Sequence, residues 1–135
     1  MGNKIVIDTA DKEYSFFNKR DEHLFDIILN PADLDIVKRY ETVVDTLNAL
    51  DIKDDDVDGF YKADTMMKEQ IDYLLNAPLA EKVFERCNPF TPLESGKLFV
   101  EEVLEAVANI IEKEMNVRTR KVNSRLQKYT AKYHK

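Results

Sequence analysis

Asp54, Asp56 and Asp58, followed by Gly59, fill the first, third, fifth and sixth places of a calcium-binding loop. Such a loop collects hard oxygen ligands and closes on a glutamate at its twelfth place, which gives the ion two oxygens. Thr65 stands at that place here. Without the bidentate carboxylate much of the charge of the site is gone, so the run reads as a solvated acidic turn that starts a helix, and no metal is expected. Cys87 would be a nucleophile only beside a base. The two histidines, His23 and His134, stand at no spacing that brings either one to it, so Cys87 reads as a small apolar residue, wholly or partly inside. One cysteine and two histidines do not make a usual zinc site without carboxylates. Gly2, Gly59 and Gly96 are isolated, which leaves no glycine-rich cradle for phosphate. Glu101 and Glu102, and Glu112 and Glu114, fall on the outward face of a helix and read as solvated charges, not as an acid–base pair. The chemistry expected is binding, with no catalysis and no cofactor.

A different kind of site stands out further along. Residues 116–135 contain Arg118, Arg120, Lys121, Arg125, Lys128, Lys132 and Lys135 and no acid. The whole chain carries −6, so this +7 segment leaves −13 on the first 115 residues. Met115, Val122, Leu126, Tyr129 and Tyr133 run through it at spacings of seven, four, three and four. That is a narrow apolar seam on a helix, rimmed by cations. It has three readings. The cations would release counterions from a nucleic acid, with Tyr129 and Tyr133 stacking on bases. The seam would lie in the apolar groove of a protein partner, with Arg118, Arg120, Lys121, Arg125, Lys128 and Lys132 at the rim. Or the helix folds back on the acidic body. A body at −13 repels nucleic acid as a whole, and the partner reading is preferred. Opposite charge on body and tail also favours self-association that weakens with salt.

The elements that must hold these residues are mostly helices. Lys4–Asp8 and Tyr14–Phe17 read as two strands around a polar turn, an N-terminal hairpin. Leu24–Leu29 is too short for its period to separate strand from helix. Asn30-Pro31-Ala32-Asp33 is a helix start, with Asn30 as cap and Pro31 first in the helix. Ile36, Tyr40, Val43, Val44, Leu47 and Leu50 follow as a buried stripe. A second helix buries Phe60, Ala63, Met67, Ile71, Leu74 and Leu75 and stops near Asn76. A short helix is expected from Leu79 to about Arg86. Thr91-Pro92-Leu93-Glu94 has the form of a capping box that opens the longest helix, with Leu93, Val100, Val103, Leu104, Val107, Ile110 and Ile111 inside. The expectation is a mainly α chain with a small N-terminal β hairpin (α+β), four or so helices and a long C-terminal one. Its organisation is an acidic globular domain over 1–115 and a basic amphipathic helical arm over 116–135.

Length and composition agree with that class. A chain of 135 residues, 44% apolar, with three Gly and four Pro, suits one core of helices joined by short turns. Apolar runs such as Ile27-Ile28-Leu29 are far too short to cross a bilayer. No signal peptide is visible, and one cysteine forms no internal disulfide, so a reducing cytoplasm is expected.

The order of these features carries a resemblance. Leu29-Asn30-Pro31-Ala32-Asp33 is followed by Ile36-Val37-Lys38-Arg39-Tyr40. After an acidic middle come Ala80-Glu81-Lys82-Val83-Phe84 and Cys87-Asn88-Pro89, then a long helix near Gly96-Lys97-Leu98-Phe99 and a basic, tyrosine-containing end. The chain resembles, over nearly its whole length, the tail assembly chaperone-like proteins of long-tailed bacteriophages and prophages of Gram-positive bacteria. The resemblance implies a non-virion protein of the host cytoplasm that binds the helix-rich tape measure protein, keeps it soluble and helps recruit tail tube subunits. It implies no catalytic residues. Two other functions fit the charge pattern: a phage inhibitor of host defence whose acidic body mimics nucleic acid, and a nucleic-acid-binding regulator that uses the tail.

Overall fold

Two strands with alternating faces open the structured part of the chain. The computed structural model describes residues 2–53 and 55–133, with side chains through Asn116. Strand β1 (Lys12–Phe17) pairs antiparallel with β2 (His23–Leu29). Along β2, Phe25, Ile27 and Leu29 point into the core while Asp26 and Ile28 point out, the period-two pattern of a sheet with one covered face. Phe16 stacks on Phe25 across the pair, ring centroids 4.7 Å apart. The hairpin therefore joins the second and third candidate runs, not the first and second. Lys4–Asp8 forms no ladder among the described residues. The physical reason is the connection. Asn18 Oδ1 accepts from the amides of both Arg20 and Glu22, and Asp21 takes a left-handed φ of 61°, so Asn18–Glu22 closes a tight turn.

Four helices follow, making a mostly helical α+β fold. Helix α1 (Leu34–Asn48) is capped by Asp33, whose side chain accepts from Asp35 N. Asn30 is not the cap. Its Oδ1 is taken by the amide of Ala32, and Pro31 is buried in the turn between, so the helix begins a turn later than the sequence suggests. Helix α2 (Val57–Leu75) is capped by Asp56 and ends at Asn76, left-handed at φ 53°. Helix α3 (Ala80–Val83) is a single turn; it stops at Phe84, short of the expected Arg86.

Helix α4 (Phe99–Tyr133) has 35 residues, about 52 Å at 1.5 Å per residue. It starts at Phe99, not at the Thr91–Glu94 box. Gly96 at φ +87° turns the chain, Pro92 bridges to Leu98, and Leu93 N donates to Lys97 O, so this stretch is a small loop. The helix begins where its first amides find partners. Phe99 N donates to Thr91 O, Val100 N to Pro89 O, and Leu98 N to the Glu101 carboxylate. The core lies between these elements: Phe25 and Ile27 of β2, Ile36 and Val43 of α1, Met67, Ile71 and Leu74 of α2, Val83 and Phe84, and Val100, Leu104, Val107 and Ile111 of α4. No helix among the described residues is long and apolar enough to cross a membrane.

Candidate interaction surfaces

The acidic run is a helix start. Asp56 Oδ1 accepts from Gly59 N at 2.8 Å, and Asp58 and Gly59 lie in the first turn of α2. A methyl group on Gly59 would sit 2.4 Å from Asp56 Oδ2, so the glycine makes room for the cap. Thr65 is in mid-helix, and Asp54 lies outside the described residues. No three metal-ligating side chains cluster among the described residues.

Cys87 is half-buried on a cavity of about 220 Å³ that Arg20, Leu24, Lys82, Arg86 and Phe99 also line. His23 is not in that lining. Its Nε2 is 2.7 Å from Asp26 Oδ1, and this bond, with a second from Ser15, holds the Asp26 carboxyl below the usual carboxylate range. His134 lies outside the described residues. Glu101 accepts from Leu98 N at the helix start. Glu102 borders an open groove of about 450 Å³ between Phe17–Arg20 and Leu93–Ser95. Glu112 is exposed, whereas Glu114 is partly covered and pairs with Lys12 Nζ at 2.5 Å, tying α4 to β1. That bond holds the Lys12 ammonium above its ordinary pKa. The carboxylates with described roles thus serve caps and ties.

Of the residues expected to bind a partner, Met115 is half-buried at the edge of the core. The backbone of the others belongs to α4, which runs unbroken across the boundary drawn at residue 115. The side chains of Arg118, Arg120, Lys121, Val122, Arg125, Leu126, Lys128, Tyr129, Lys132 and Tyr133 lie outside the described residues.

Exposed apolar side chains stand at two places that the residues alone did not single out. Val57, Tyr61, Met66 and Tyr73 are exposed on α2, outside its buried stripe. Ile5, Val6 and Ile7 are 84%, 79% and 74% exposed, the most open large apolar side chains among the described residues. A signal for the second was present. Three consecutive apolar residues cannot all face one covered side of a strand. No family model, no curated protein and no solved structure compared with this chain matches it.

Proposed function

We propose that the protein is a phage tail assembly chaperone: a non-enzymatic holder that binds the tape measure protein in the bacterial cytoplasm and aids tail tube assembly. The observation that supports this is the length of α4, a helix of 35 residues that carries the seam. Its core positions among the described residues end at Ile111, with Met115 at the margin, while the helix continues to Tyr133. That leaves roughly 27 Å of helix past the margin. Its sequence keeps the seam Val122, Leu126, Tyr129 and Tyr133 within a basic rim. A seam this narrow fits a single helix of a client, and a long helix-rich client offers many such sites. The −13 carried by the first 115 residues keeps the loaded complex in solution.

The test is titration of a tape measure fragment from the same phage, followed by calorimetry. Removing residues 116–135 is expected to leave a folded body that no longer binds. Leu126→Asp is expected to weaken binding at least about thirtyfold, or about 2 kcal/mol, because it charges the seam. Arg125→Ala with Lys128→Ala acts mainly on encounter rate and costs far less. Undiminished binding by the truncated chain overturns the proposal, as does loss of the body's cooperative unfolding on truncation. The reverse ranking of the substitutions, with a steep salt dependence of DNA binding, favours the nucleic-acid arm instead.

A further inference from the structure

The segment before β1 is built to meet a strand and meets none among the described residues. Lys4–Asp8 has no turn or bend, no positive φ, and no main-chain hydrogen bond among the described residues. Its C-terminal end is nevertheless held. Asp8 Oδ1 accepts from Ala10 N at 2.8 Å, Ala10 takes a left-handed φ of 60°, and Thr9 O accepts from Asn30 Nδ2 at 2.7 Å. This pinned turn separates the segment from β1, whose edge away from β2 is also unpaired among the described residues.

We infer that Lys4–Asp8 pairs antiparallel with the same segment of a second copy, about a two-fold axis through Val6. The sequence Lys-Ile-Val-Ile-Asp is self-complementary in that arrangement alone. Antiparallel pairing about Val6 sets Lys4 of each copy opposite Asp8 of the other, Ile5 opposite Ile7, and Val6 opposite Val6. Because side chains alternate, one face of the ribbon gathers four isoleucines. The other holds the valine pair between two ion pairs, and cross-strand pairs of both kinds are favourable. Parallel pairing would oppose Lys4 to Lys4 and Asp8 to Asp8. Pairing with β1 would set isoleucines among Glu13, Tyr14 and Ser15. Each alternative opposes like charges or mismatched surfaces, and an isologous two-fold contact avoids both. A contact of five residues a side is smaller than the interfaces of stable complexes, so it belongs to the weak, transient class. It is independent of the tail and of any client.

The test uses the full chain. Sedimentation up to about 1 mM is expected to show reversible dimerisation, the range appropriate to a small interface. Lys4→Glu places a glutamate opposite Asp8 twice per dimer and is expected to weaken association about tenfold. Adding Asp8→Lys to it reverses both charges and is expected to recover part of the loss, short of the share that depends on the Asp8–Ala10 turn bond. For register, Val6→Cys in a Cys87→Ser background is expected to cross-link copies on mild oxidation. Residues facing each other across the axis have Cα atoms roughly 4.5–5.5 Å apart, within disulfide reach. Lys4→Cys, whose mate lies far along the strand, is not expected to cross-link. Lys4, Val6 and Asp8 are exposed and Cys87 is half-buried, so circular dichroism checks the fold of each variant. A chain monomeric at 1 mM, a Lys4→Glu chain that associates like the parent, or a double variant that associates no better than Lys4→Glu alone overturns the inference. So does loss of the dimer on removing 116–135, whereas loss of client binding alone leaves it standing.

Discussion

Ile5-Val6-Ile7 and Phe25–Leu29 are both short, β-branched or aromatic-rich runs, and they end in opposite states. In β2 every second residue is inside: Ile27 is 2% exposed, while its neighbours Asp26 and Ile28 face out. In Lys4–Asp8 nothing alternates, and its three apolar residues are all open. Composition makes both runs capable of strand geometry. What separates them is a covered face on one side and a hydrogen-bonding neighbour on the other. β2 has the core beneath it and β1 beside it; Lys4–Asp8 has neither among the described residues. An apolar strand whose pattern does not alternate is suited to a ribbon between chains, where neither face must match a core.

The widest separation between the two runs is expected in stability. Ile27→Ala removes buried methyl groups beneath the sheet and is expected to destabilise the fold by about 2–4 kcal/mol, read from urea unfolding of the dilute monomer. Ile5→Ala, at an 84% exposed site, is expected to stay within about 0.5 kcal/mol of the parent. Comparable losses at both positions would mean that Lys4–Asp8 packs on the body.

The same contrast explains how much the residues themselves disclose. The stripes of α1, α2 and the first part of α4 are legible because each repeats at the helical period over three turns or more, and Ala63, Met67, Ile71, Leu74 and Val107 are buried as that period requires, whereas Phe60, expected on the α2 stripe, is exposed in the helix's first turn. Boundaries are less legible. Asn30 and Asp33 are both good caps three residues apart, and a bond from Asn30 to Thr9, 21 positions away, helps decide between them. The box at Thr91–Glu94 satisfies a local rule, yet α4 starts where the carbonyls of Pro89 and Thr91 meet its first amides. Strand partners are the least legible, since the composition of Leu24–Leu29 does not name β1 as its neighbour. The seam at Val122 and Leu126 is visible as a pattern, but a helix that lies on its own body and one that grips a client share that pattern.

Next in size is a response to alkali, which bears on the anchored strand and the core edge among other places. Tyr40 is raised above its ordinary 10.0, first by burial and then by the Glu105 charge; Tyr14 of β1 is raised by burial and then by Glu114. Lys12 is raised above 10.5, first by its hydrogen bond to Glu114. All three keep their protons longer when folded. Their stabilising contribution is therefore complete below the unfolded values near 10 and is lost as pH rises through the folded ones. Urea midpoints are expected to fall between pH 9 and pH 11, and Tyr40→Phe with Tyr14→Phe is expected to shallow that fall. A flat profile would mean that these groups ionise as freely in the fold as in the open chain.

The smallest expected effect tests the pin that divides the two regions. Asn30 uses both ends of its amide: Oδ1 accepts from Ala32 N at 3.2 Å, and Nδ2 donates to Thr9 O at 2.7 Å. Asn30→Asp keeps an acceptor for Ala32, removes the donor for Thr9 and sets a carboxylate oxygen against the Thr9 carbonyl, so the pin is lost. The bond is exposed, and water replaces part of it, so the expected loss is about 1 kcal/mol. Its larger consequence falls on association. With Thr9 released, the direction of Lys4–Asp8 is no longer set in the free chain, and ordering it becomes part of forming the ribbon. Dimerisation should weaken although every residue of the contact is intact. Sedimentation and urea unfolding on the same sample separate the two effects. A stability loss above about 3 kcal/mol would exceed one exposed hydrogen bond and show that the turn at Thr9 supports the body itself. Unchanged dimerisation would show that Lys4–Asp8 finds its mate without the pinned turn, so that strand complementarity alone sets the contact.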